Sequence, residues 1–249
     1  MHTTIMKSII ILILLVQYSY SKSFKEILND GYIRVGVSYD YIPFGFINND
    51  GILDGFDIDL IKRMMNKLEL RVKFIEVSST NKEKMLLDDK LDILFAGMSK
   101  DKQSNKNIIF TKPYYTDEQV ILLNSNKNVK TLKDMDNMHV GSLKGTNYLT
   151  NFLKIQPNVL TVSFSQYPQL TKALAYNNID AVTAGSSWAK EQVESHPNEF
   201  RILSDVICQI NYSMALKKSN EDLKEKLNLL FIESKNDNSY EKIYQKWFK

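Results

Sequence analysis

The feature that most constrains this chain is an alternation of short apolar runs with segments of helical spacing, repeated from one end of the sequence to the other. Ile33-Arg34-Val35-Gly36-Val37 reads as a strand, and Asn48-Asn49-Asp50-Gly51 as a turn. From Asp57 onward, Ile58, Ile61, Met65 and Leu68 recur at spacings of three, four and three, which puts them on one face of a helix. Leu70 to Val77 reads as a second strand. Ser78-Ser79-Thr80-Asn81 supplies capping residues for a helix through Met85 and Leu86, and Leu91 to Gly97 is a third strand. Strands crossed by helices in this order give a β-α-β-α-β unit with a parallel sheet.

After a strand at Gln119 to Asn124 the pattern restarts. Strands are expected at His139–Leu143, Val159–Phe164, Asp180–Ala184 and Arg201–Leu203, with helices after Thr146, Tyr167 and Ser187. A late strand is expected at Tyr212-Ser213-Met214-Ala215-Leu216. It is followed by one amphipathic helix carrying Leu223, Leu227, Leu230 and Phe231 and another from Tyr240 to Phe248. No low-complexity linker separates the two α/β sets and no internal repeat is visible, so two tightly connected lobes are expected.

The first residues have a different character. Lys7 precedes the apolar run Ser8 to Val16, which is too short for a stable membrane anchor, and Ser19-Tyr20-Ser21 places small residues before a cut at Lys22. Residues 1–21 therefore read as a cleavable export signal, without the cysteine that lipid modification would need. The chain has 249 residues, a net charge of +3 and lysines spread along its length, so it lacks the concentrated basic face of a nucleic-acid binder. The lone Cys208 sits in an apolar context and reads as a buried small hydrophobe. His139 and His196 show no metal-ligand spacing, and neither a nucleophile motif nor a Gly-rich phosphate loop is present.

Several ordered pieces are similar to the bacterial solute-binding proteins for polar amino acids that serve ABC transporters. Tyr41-Ile42-Pro43-Phe44 after the first strand resembles that family's Y-x-P-F turn, and Gly55-Phe56-Asp57-Ile58-Asp59-Leu60 its G-F-D-x-D-L helix start. Ala96-Gly97-Met98 and then Phe110-Thr111-Lys112-Pro113-Tyr114-Tyr115 resemble the segments before the first crossover. Val140-Gly141 with Gly145-Thr146 opens the second half, and Ser239 to Phe248 resembles the terminal helix. The resemblance implies a two-lobed α/β fold of the type II periplasmic-binding-protein kind. Each lobe would hold a mostly parallel sheet flanked by helices, and two crossover strands would join them. The first lobe would be residues 22–121 plus 213–249, and the second an insertion at 122–212.

For the site, the resemblance implies an Arg that takes the cargo's carboxylate and an Asp that takes its amine. Aligned without gaps, Ser104 stands where the Arg belongs and Gly185 where the Asp belongs, while an aromatic cover is replaced by Ser79. Lys102 and Lys106 are nearby but lack the planar fork of an Arg. Tyr41 and Phe44 remain as walls, and Gly97 and Ser99 follow a strand where backbone and hydroxyl can meet a polar ligand. Gly145, Thr146 and Asn147 precede a helix whose free N–H groups attract anions, with Lys144 as a stand-in cation. Asp57 and Asp59 read as offsets to a helix dipole, and Trp188 and Trp247 as packing residues.

The expectation is an exported periplasmic protein, monomeric and without cofactor or metal. It would bind a small molecule between its lobes and deliver it to a membrane permease, without contacting nucleic acid. Two other classes remain open: a cyclohexadienyl or prephenate dehydratase-like enzyme on the same scaffold, and a ligand-sensing module.

Overall fold

The computed structural model describes residues 22–100 and 105–249. The signal segment expected at 1–21 and the candidate site residue Ser104 lie outside the described residues.

The chain opens with helix α1 (Phe24–Asp30), whose N-terminus is closed by a capping box between Ser23 and Glu26. Strand β1 (Tyr32–Val37) follows, then a small antiparallel sheet of β2 (Asp40–Tyr41), β3 (Gly45–Ile47) and β4 (Leu53–Asp54). Helix α2 (Phe56–Asn66) buries Ile58, Leu60, Ile61, Met64 and Met65, each contributing about 2 kcal/mol by leaving water. Next come β5 (Arg71–Glu76), α3 (Lys82–Leu87), β6 (Ile93–Ser99), β7 (Ile108–Phe110) and β8 (Tyr115–Asn124). The second set holds β9 (His139–Leu143), α4 (Tyr148–Leu153), β10 (Leu160–Phe164), α5 (Tyr167–Ala175), β11 (Ala181–Gly185), α6 (Ser186–Ser195) and β12 (Phe200–Ile202). Strand β13 (Cys208–Lys217) returns, and α7 (Glu221–Asn236) and α8 (Ser239–Phe248) finish the chain.

The main sheet has the order β10-β9-β11-β8-β13-β6-β1-β5, with β12 added to β8 and β7 to β13. At its ends the sheet is parallel, as the alternation predicted: β1 pairs with β5 and β6, and β9 with β10 and β11. Its centre is antiparallel and is made by two ten-residue strands, each shared between the two lobes. β8 pairs with β13 through Tyr115–Gln119 and with β11 through Gln119–Leu123. β13 pairs with β8 through Cys208–Tyr212, then with β6 and β7 through Tyr212–Lys217.

β13 is longer than the predicted Tyr212–Leu216 strand because Gln209 and Asn211 expose polar side chains, and that alternation conceals its first half. The β1–β6 contact is pinned by Arg34, which meets the buried Asp92 through Nη2 at 2.6 Å and Nε at 3.1 Å. Asp59 on α2 takes Lys246 at 2.7 Å and the Trp247 indole N–H at 2.9 Å, holding α8 in place. That carboxylate therefore fastens two helices, a more specific role than offsetting a dipole.

Candidate functional site

A cavity of about 800 Å³ lies between the lobes, beside the first half of β13. The end of β6 contributes Gly97 and Ser99, the loop into α4 contributes Gly145, Thr146 and Asn147, and β13 contributes Asn211 and Tyr212. Ser99 closes β6, the Gly145–Asn147 loop joins β9 to α4, and Asn211 and Tyr212 lie within β13 at the sheet's central seam. Gly97 has φ +56°, and a side chain there would press on the Tyr41 ring, its Cβ 2.9 Å from the nearest ring carbon. Gly145 has φ +71°, and a Cβ there would overlap the Ser79 carbonyl oxygen across the interlobe gap.

Inward of this cavity the lobes touch. The Ser79 hydroxyl donates to the Ser165 carbonyl at 3.2 Å, and the Tyr167 N–H donates to the Asp40 carboxylate at 3.2 Å. Only about 20 Å³ remains between Tyr41, Ser79, Lys82, Thr146, Tyr148 and Tyr167, which suits roughly one water. One apolar cluster runs from lobe to lobe, through Tyr41 and Phe44 on one side and Tyr148, Tyr167 and Trp188 on the other.

Four tyrosines and one carboxyl organise this seam. The Tyr212 hydroxyl meets those of Tyr41 at 2.8 Å and Tyr148 at 2.9 Å, and it donates to Asp117 Oδ2 at 3.3 Å. The Tyr41 ring stacks on that of Tyr167. Asp117 is 2% exposed, and its Oδ1 accepts from the Ser186 hydroxyl at 2.7 Å and the Ser187 N–H at 3.2 Å. Burial pushes its carboxyl up despite those donors, and burial likewise pushes the four phenols up.

The structure brings together Gly97, Ser99, Gly145, Thr146 and Asn147 around the large cavity. Tyr41 borders only the small inner space. Phe44 lines neither space: it is fully buried against Tyr41, Phe56, Tyr115 and Tyr212 and acts as core. Gly185 also lines neither, because a Cβ there would overlap Asp117 Oδ2 and come within 2.9 Å of the Tyr212 hydroxyl. Lys144 is exposed and borders neither space.

Cys208 is half-buried at the cavity wall and not enclosed, since β13 begins there; its thiol donates to Gln119 Oε1 at 3.5 Å. Sequence reasoning missed Lys82, Asp117, Tyr148 and Tyr167. No group of residues suited to holding a metal occurs among the described residues.

Residues 33–249 match the family described as bacterial extracellular solute-binding proteins, family 3. The chain belongs to that family. It is 27% identical to the ABC transporter arginine-binding protein 1 of Escherichia coli (strain K12), over 98% of this chain and 99% of that protein. An ancestral arginine-binding protein bound to glutamine superposes with a TM-score of 0.83 at 31% identity, covering 88% of this chain and 98% of the other. An ancestral amino acid-binding protein described as a precursor of cyclohexadienyl dehydratase gives 0.84 at 27% identity, covering 90% and 99%. The fold is that of the type II periplasmic binding proteins, and this family 3 chain has a solute-binding role.

Proposed function

We propose that this family 3 protein is exported through its first 21 residues, binds a small polar solute, nominally an amino acid, in the periplasm, and delivers it as a monomer to an ABC transporter permease. The observation that carries this reading is the pair of shared strands β8 and β13, with the cavity of about 800 Å³ beside them. Strands shared between lobes let each lobe rotate as a body while the sheet stays intact, which is how such clefts open and close. The lobes are assigned as residues 22–121 plus 213–249 and residues 122–212, with the changeover inside β8 and β13. Gly97, Ser99, Gly145, Thr146 and Asn147 are assigned to the cargo site and Tyr41 to its inner edge.

Calorimetry against the twenty L-amino acids, with mass spectrometry of cargo retained through gentle purification, tests the reading. Saturable binding of an amino acid supports it, and silence across the whole set removes the amino-acid assignment.

On this reading the chain performs no chemistry. One observation favours the second reading, a dehydratase-like enzyme. Asp117 holds a carboxyl with a raised pKa beside Gly185; it lines neither space while the lobes touch, so it could assist the departure of hydroxide only where lobe opening exposes it. Incubation with prephenate, followed by ultraviolet absorbance, separates the two: turnover supports the enzyme, and an unchanged spectrum disposes of it.

A further inference from the structure

Lys82 is the first residue of α3 and is only 7% exposed. Its ammonium donates to the Ala96 carbonyl at 3.4 Å, and no carboxylate lies within 4 Å of it among the described residues. Two partly buried lysines differ: Lys127 sits 2.5 Å from Asp180, and Lys217 sits 2.6 Å from Asp89. A buried cation without an anion is unfavourable by several kcal/mol unless something else compensates for it. Lys82 also lines both interlobe spaces, which places this unpaired side chain in the wall of the cavity a solute would occupy.

The space a simple amino acid would need around Tyr41 is taken by the protein itself. Phe44 covers one part of the Tyr41 ring at 4.7 Å and Tyr167 stacks on it at 4.5 Å. The space at Gly185 is filled by Asp117 and the hydroxyls of Tyr148 and Tyr212. Asp117 lines neither cavity, so it offers nothing to a cargo ammonium. The outer cavity is walled by neutral Ser99, Asn147, Asn151 and Asn211, with Lys82 in its depth, Lys100 exposed at the edge and the exposed Glu83 as its carboxylate.

We propose that Lys82 anchors a carboxylate of the cargo, that the cargo lies in the outer cavity beyond the tyrosine cluster, and that it is a small net-negative carboxylate. An acidic amino acid and a dicarboxylate share that chemistry. The inference rests on the solute-binding reading and sharpens its substrate class.

The test is calorimetry at pH 7 with L-glutamate, succinate, L-glutamine and L-arginine. Each is titrated into the wild type, Lys82→Gln and Lys82→Arg, with circular dichroism confirming that the variants fold. The wild type is expected to bind L-glutamate or succinate at least tenfold more tightly than the other two solutes. Lys82→Gln should weaken that binding at least tenfold, and Lys82→Arg should retain it within a few-fold. An affinity unaffected by Lys82→Gln, equal or tighter binding of L-glutamine or L-arginine, or silence of both acids overturns the proposal. Succinate binding without any amino acid would keep this inference and end the amino-acid reading. Binding of L-arginine or L-glutamine that is insensitive to Lys82→Gln would do the reverse.

Discussion

The ring of Tyr41 lies flat against that of Tyr167, with centroids 4.5 Å apart and planes within 3° of each other. Tyr41 comes from the first lobe and Tyr167 opens α5 in the second, so this stack is a direct bond between lobes. Trp188 supports Tyr167 from behind at 5.1 Å, which fixes the ring.

Tyr167→Ala is therefore expected to loosen closure as well as the core. Truncating a buried aromatic of this kind lowers stability by about 3–5 kcal/mol. Small-angle X-ray scattering should show a larger radius of gyration than the wild type under folding conditions. An unchanged radius would mean that the stack fills space without holding the lobes together.

Tyr212 joins both lobes through one hydroxyl, shared with Tyr41, Tyr148 and Asp117. Tyr212→Phe keeps the ring and removes that junction. It leaves Asp117 Oδ2 with the longer Ser187 N–H contact at 3.4 Å. A loss of about 1–3 kcal/mol is expected, read as a lower urea midpoint with an unchanged slope.

Much of the scaffold was legible in the sequence because its signals are local. The spacing of Ile58, Ile61 and Met65 announces α2, and His139–Leu143 is a strand with the expected bounds. Even α1, which went unread, carries its own signature: Ser23 and Glu26 are three apart and form a capping box. The site was less legible because its parts come from distant elements. Asp117 on β8 occupies the space of Gly185 on β11, 68 residues later, and no spacing rule connects them. Lys82 looks like one more surface lysine in a lysine-rich chain, and only the fold buries it.

Lys82 should reveal itself through pH. Burial lowers its pKa from 10.5 to about 8, so between those values the unfolded chain binds more protons than the folded one. Its contribution to stability therefore rises with pH across that window, and the full penalty is present below about 8. Lys82→Met should raise stability at pH 7 by about 3 kcal/mol, with the difference from wild type vanishing near pH 10.5. Urea titrations at pH 7 and pH 9.5 check this, and a pH-independent difference would contradict the assigned burial of charge.

Gly185→Asp brings a second carboxyl onto Asp117 in a space already filled by two phenols. A loss of about 2–4 kcal/mol is expected from overlap and like charge together. The same change in an Asp117→Ser background should be much milder. The coupling should exceed about 1 kcal/mol in a double-mutant cycle, and additivity would show that the two positions do not compete.

That competition has a consequence for how this chain is compared with its relatives. Positions 117 and 185 contend for one small volume beside Tyr212, so an acid inherited at either site is expected to exclude an acid at the other. Across family 3 the two alignment columns should be anticorrelated. A survey that scores each column alone would record only an absent carboxylate at 185 and miss that Asp117 of β8 fills the volume beside it.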